Sequence, residues 1–109
     1  MDLINDMLAK LTTLNTSISL LKQRGEERAN TEMAYRIALA EKIGELREKG
    51  TPVTIVNDLA RGDNDIAKLR FARDVAEKNY YVGLEYINAT KLQIKVLEGQ
   101  IEREWGTNE

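Results

Sequence analysis

The sequence contains no cysteine and no histidine. The first absence removes disulfides and thiol chemistry. The second removes the commonest general base near neutral pH and the commonest metal ligand. Proline occurs once, as Pro52, which argues against a loop-rich β protein. No apolar run approaches the ~20 residues that a membrane span requires, so no membrane association is expected. The N-terminus lacks a basic stretch followed by an apolar one, and the expectation is a cytoplasmic protein.

Catalytic patterns are equally sparse. The only serines are Ser17 and Ser19, and no histidine is present to activate them. Gly25, Gly44, Gly50 and Gly62 stand isolated, and none opens a strand–helix unit that would cradle phosphates. Asp58, Asp63 and Asp65 place a DxD pattern in mid-chain. The further oxygen ligands and distal glutamate of an EF-hand loop are missing, and helix capping accounts for Asp63 and Asp65. The expectation is a protein that is not an enzyme, with no catalytic residues, no metal, no cofactor and no small-molecule substrate.

At 109 residues the chain has room for one domain, and 42% of it is apolar, too much for a disordered tail. The net charge is −2, which argues against a strongly basic nucleic-acid binder. The charge is uneven: residues 1–50 balance to zero, 51–73 carry +1 and 74–109 carry −3. Any basic surface therefore belongs to the middle of the chain.

A seven-residue apolar rhythm dominates what is present. Ile4, Leu11, Ile18, Leu39 and Leu46 share one heptad position; Met7, Leu14, Leu21 and Tyr35 share the position three later. Gly25, Arg28 and Glu32 occupy core-type positions inside the polar run RGEERANTE, yet the register survives it. In the second half Ile66, Arg73, Tyr80, Ile87, Ile94 and Ile101 fall on one position. Leu69, Ala76, Gly83, Thr90, Leu97 and Glu104 fall three later. Gly50 suits a helix stop, Thr51-Pro52 reads as an N-cap and first helical residue, and Asp63 or Asn64 caps the next helix.

The pattern predicts an all-α fold: a long antiparallel helical hairpin, with one helix over 3–49, an elbow over 50–64 and a second helix over 65–105. Residues 1–109 form a single domain in this reading. The first helix is expected to be continuous with a weak, kinked middle, and a real break near Gly25 is the alternative. Arg73, on a core position, calls for a partner such as Asp58 or Glu41, or a register-setting role.

The second helix carries a further stripe, Val75, Val82, Ala89 and Val96, about 200° round from the isoleucines. Phe71, Tyr86 and Leu92 flank it. A helix apolar on two faces needs two neighbours, which predicts self-association into a dimeric four-helix bundle. The expected oligomer core is Leu11, Leu14, Ile18, Leu21, Tyr80, Ile87, Ile94 and Ile101. Residues 3–21 are the candidate arm for crossing onto a partner. Phe71 and Val75 are also expected to pack under the elbow, against Val53, Ile55 or Leu59.

Arg61, Lys68, Arg70 and Arg73 follow one another closely near the elbow, with Arg47 and Lys49 arriving from the first helix. Arg47, Lys49, Arg61, Lys68 and Arg70, with outward-facing Tyr81, are the candidate contacts for a partner or nucleic acid. Trp105 is expected to staple the last turn against the start of the first helix.

The stretches YRIALAEKIGELREKGTPVTIVNDLARGD, LRFARDVAEKNY and LEGQIEREW, spanning residues 35–105, resemble a group of small all-helical proteins encoded by bacteriophages and prophages of Gram-positive bacteria. The resemblance implies an early-gene context near recombination and replication functions, in the cytoplasm of a bacterial host cell. It implies an accessory factor of phage DNA metabolism or an inhibitor of a host or defence protein. Together these readings predict a homo-oligomer, most simply a homodimer, that binds a protein partner. DNA binding through paired basic elbows is the alternative, and a virion assembly or structural role a further one.

Overall fold

A computed structural model describes residues 2–107 of the chain. Residues 1, 108 and 109 of the expected domain lie outside the described residues. Helix α1 is Asp2–Glu48, α2 is Val53–Gly62 and α3 is Asn64–Thr107, so the fold is all-α, two long helices joined by a short helical elbow. α1 continues through Gly25 without interruption. Among the described residues, no helix is long and apolar enough to cross a membrane.

The elbow is built by local chemistry. Gly50 adopts φ 85°, a left-handed conformation open to glycine at little cost. The Gly50 N–H then donates to the Arg47 carbonyl and the Thr51 N–H to the Leu46 carbonyl, closing α1 with a Schellman motif. Pro52 precedes α2 and is not its first residue, a correction to the expected cap. Its φ of −57° suits a helix, but its ψ of 139° is extended, and no side chain caps α2. Asp63 caps α3: its Oδ1 accepts from the Asp65 N–H at 3.0 Å and the Ile66 N–H at 3.3 Å.

The chain packs as two units. One comprises Arg24–Asn79; the other pairs the start of α1, through Gln23, with α3 from Tyr80 onward. In Arg24–Asn79 the core is small: Tyr35, Val56, Ala60, Ile66 and Ala76 are buried. The polar run of α1 stays helical because its inward polar groups have partners on α3. Arg24 Nη1 donates to the Asn79 carbonyl at 3.1 Å, Arg28 lies 4.0 Å from Glu77, and Glu32 lies 3.7 Å from Arg73. Lys42 pairs with Asp63 at 3.2 Å. Partner numbers fall along α3 as they rise along α1, so the pairing is antiparallel.

In the other unit Ile87 and Thr90 are buried, and Tyr80, Gly83, Ile94, Leu97 and Ile101 are partly covered, on the two heptad positions read from the sequence. On α1 the inward residues are Met7, Leu14 and Leu21, joined by Lys10 and Ser17 three residues after Met7 and Leu14. The expected stripe of Ile4, Leu11 and Ile18 is instead exposed by 40–49%. The small Gly83 and Thr90 on α3 allow a close approach, in which short or stem-like polar side chains fit the seam and the third apolar row is turned to its flank. Residues 3–21, expected to cross onto a partner, belong to the same packed unit as their own α3.

Two further expectations are corrected. Phe71 is 70% exposed, and Val53, Ile55, Leu59 and Val75 are exposed as well. The reason is that α2 turns Val56 and Ala60, four residues apart, toward the core, so its other apolar residues face away. Trp105 is 68% exposed and staples nothing. It sits two residues from the end of α3, in a turn whose charged neighbours Glu102 and Glu104 are also solvated.

Candidate functional site

Within Arg24–Asn79 the three helices enclose a surface cleft of about 530 Å³ that four arginines line, Arg36 from α1, Arg61 from α2, and Arg70 and Arg73 from α3. Glu32 is the one acidic residue in the lining, and Leu39 and Ile43 supply an apolar wall. Arg73 explains its core heptad position here. Its guanidinium lies 4.5 Å from the centre of the buried Tyr35 ring and donates to Asp74 Oδ1 through Nε at 3.0 Å and Nη2 at 2.8 Å. Glu32 Oε2 lies 3.7 Å from the same Nε. The partners are therefore Tyr35, Asp74 and Glu32, not Asp58 or Glu41, which are exposed. The Asp74 carboxylate, reinforced by Glu32, raises the Arg73 pKa further and keeps it charged.

Glu32 links two of the arginines, since Arg36 Nε donates to its Oε1 at 2.6 Å. Arg61 and Arg70 carry no carboxylate partner among the described residues. Two guanidinia of the cleft are thus held in place and two point their donors to solvent unpaired.

Of the basic candidates read from the sequence, Arg61 and Arg70 come together in this cleft. Arg47, Lys49 and Lys68 are exposed and outside its lining. Tyr81 is exposed but belongs to the other unit, edge-on to Tyr80 with ring centres 5.6 Å apart. Sequence reasoning missed Arg36 as a member. The signal was available: Glu32 and Arg36 are four apart on one helix, the spacing of an intrahelical ion pair.

On the far side of the elbow, Lys42 and Asp63 tie α1 to the cap of α3. The Ile66 N–H and then the Lys42 ammonium hold the Asp63 carboxyl below its ordinary value, and Asp63 raises Lys42 in return. Asp63 is therefore a cap and an ion-pair partner.

The second feature is apolar. In the unit that contains Tyr80 onward, Val82, Tyr86, Leu92 and Val96 are exposed by 54–66%. Beside them a groove of about 530 Å³ runs between the helices, with Ala9, Leu92, Val96 and Leu97 among its walls. The exposed Leu11 lies about 200° round α1 from Ala9, so this unit has apolar surface on two flanks. The residues expected to form an oligomer core divide accordingly. Ile87 is buried, and Leu14, Leu21, Tyr80, Ile94 and Ile101 are partly covered within the chain, while Leu11 and Ile18 are open. No known protein family, curated protein or solved structure is significantly similar to this chain.

Proposed function

We propose that the chain is a non-enzymatic interaction protein of phage type that works as a homo-oligomer and binds a protein partner in the bacterial cytoplasm. The observation that carries this reading is the uncovered stripe on α3, with Val82 and Val96 each exposed by almost three-fifths. Isolated surface apolar residues are ordinary, but a row repeating every seven residues on a helix marks a face that packs.

The occupant of the α3 face is a second copy, because a two-fold axis lets the same stripe and groove cover themselves with no further sequence. The flank of Ile4, Leu8, Leu11 and Ile18 then remains for the protein partner, as an apolar row that a partner helix would cover. The resemblance of residues 35–105 to small phage proteins fits a role of this kind.

Size-exclusion chromatography with light scattering tests the reading. The wild type is expected at a multiple of 12.4 kDa. Val82→Asp with Val96→Asp is expected at the monomer mass, since a dimer would bury unpaired carboxylates. Leu11→Asp is expected to keep the oligomer. A wild type that elutes as a stable monomer at every concentration contradicts the proposal.

A further inference from the structure

We propose that the arginine cleft binds the phosphate group of a small anionic ligand of about mononucleotide size. Guanidinium is a planar fork of donors that matches two oxygens of a phosphate at once. Four such groups converge on one cleft that contains a single carboxylate, Glu32. That carboxylate already shows what the cleft accommodates. It is an oxyanion, held at 2.6 Å by Arg36 with Arg73 at 3.7 Å. Tyr35 stacks beneath Arg73, so the floor of the site is ordered before any ligand arrives. Arg61 from α2 and Arg70 from α3 line the same cleft, are exposed and have no carboxylate partner among the described residues, so their donors are open to a ligand oxyanion.

Size and shape narrow the ligand. The volume of about 530 Å³ lies inside the ~300–1,000 Å³ range of small-molecule sites. Leu39 and Ile43 give the cleft one apolar wall, which suits a ring or base attached to the phosphate. A duplex backbone presents phosphates in a row and is met by a track of cations. Here the cleft gathers four arginines, while Arg47, Lys49 and Lys68 stay outside it. The arrangement favours one phosphate group at one place.

The test is a titration of the full chain with adenosine monophosphate and, separately, inorganic phosphate, following the arginine side-chain Nε–Hε signals by NMR. Saturable shifts at Arg61 and Arg70 are expected, with tighter binding of the nucleotide than of phosphate alone. Arg61→Gln with Arg70→Gln should weaken binding at least about tenfold, because charge-assisted hydrogen bonds are lost. Arg70→Lys keeps the charge but not the fork and should lose part of the affinity. Both arginines are exposed, so an unchanged thermal melt is expected for these variants. Lys91→Ala with Lys95→Ala removes the same charge elsewhere on α3 and should leave binding unaltered. Shifts that never saturate, or equal losses in the lysine variant, overturn the proposal. So does a short DNA duplex that uses Arg61 and Arg70 while the nucleotide does not, which would assign the cleft to a nucleic-acid backbone.

Discussion

Asp63 does two jobs with one carboxylate, and both depend on its charge. It accepts two N–H groups at the start of α3 and receives Lys42 from α1. Its pKa is depressed, so its contribution is complete above the ordinary value of 3.8 and is lost as pH falls through the lower folded value. The Lys42 pKa is raised, so its contribution is complete below 10.5 and is lost as pH rises through the higher folded value. Thermal melts at pH 7 and pH 3 should therefore show a larger loss for the wild type than for Asp63→Asn, which keeps a capping oxygen but no charge. Equal losses would mean that the pair contributes nothing. At the same scale, Ile87 is 4% exposed on the seam of α3 whereas Glu98 is solvated. Ile87→Asp should cost about 3 kcal/mol or more, and Glu98→Ala should stay within ~0.5 kcal/mol. A chemical denaturation series measures both, and similar values for the two would contradict the heptad register.

At the scale of elements, two glycines give opposite expectations. Gly50 has φ 85°, where a Cβ is strained even though space is free, so Gly50→Ala should destabilise by about 1 kcal/mol. Gly44 lies inside α1, where an added Cβ would meet nothing within 4 Å, so Gly44→Ala should stabilise by roughly 0.5–1 kcal/mol. Denaturant midpoints of the two variants check the signs. The helices themselves were legible in the sequence, and for a physical reason. Gly50 permits the left-handed turn, Pro52 fixes its own φ and Asp63 caps α3, all local effects, so the elbow needed no knowledge of what packs where. The seam of α3 was legible too, because its isoleucines are the bulkiest repeating residues on that helix. The seam of α1 was legible only in its second half, where Tyr35, Leu39 and Leu46 are covered as read; in its first half Ile4, Leu11 and Ile18 are exposed instead. Two adjacent rows there are apolar, and periodicity cannot say which one faces α3. The row chosen by the fold brings in Lys10, Ser17, Arg24 and Thr31, whose polar groups are tolerated through stems, short side chains or partners such as the Asn79 carbonyl. One arginine of the cleft, Arg36, escaped although its pair with Glu32 lies within α1; what the sequence does not show is that the antiparallel pairing sets Arg73 of α3 beside the same carboxylate.

For the whole molecule, the question is what covers the apolar surface that one chain leaves open. Few side chains are buried among the described residues, and most of them lie in Arg24–Asn79, where three helices meet. A chain with so small an interior is marginal alone, and under the proposed self-association a second copy supplies the remaining stability. Folding and assembly are then linked, and the linkage has a direct readout. Thermal unfolding followed by circular dichroism over protein concentrations from ~1 to ~100 μM makes the test, because a transition that includes dissociation shifts with concentration while a monomer's does not. The expected result is a Tm that climbs steadily with concentration, and a loss of that climb in Val82→Asp with Val96→Asp. A wild-type Tm that stays constant across the range would contradict self-association through the second stripe of α3.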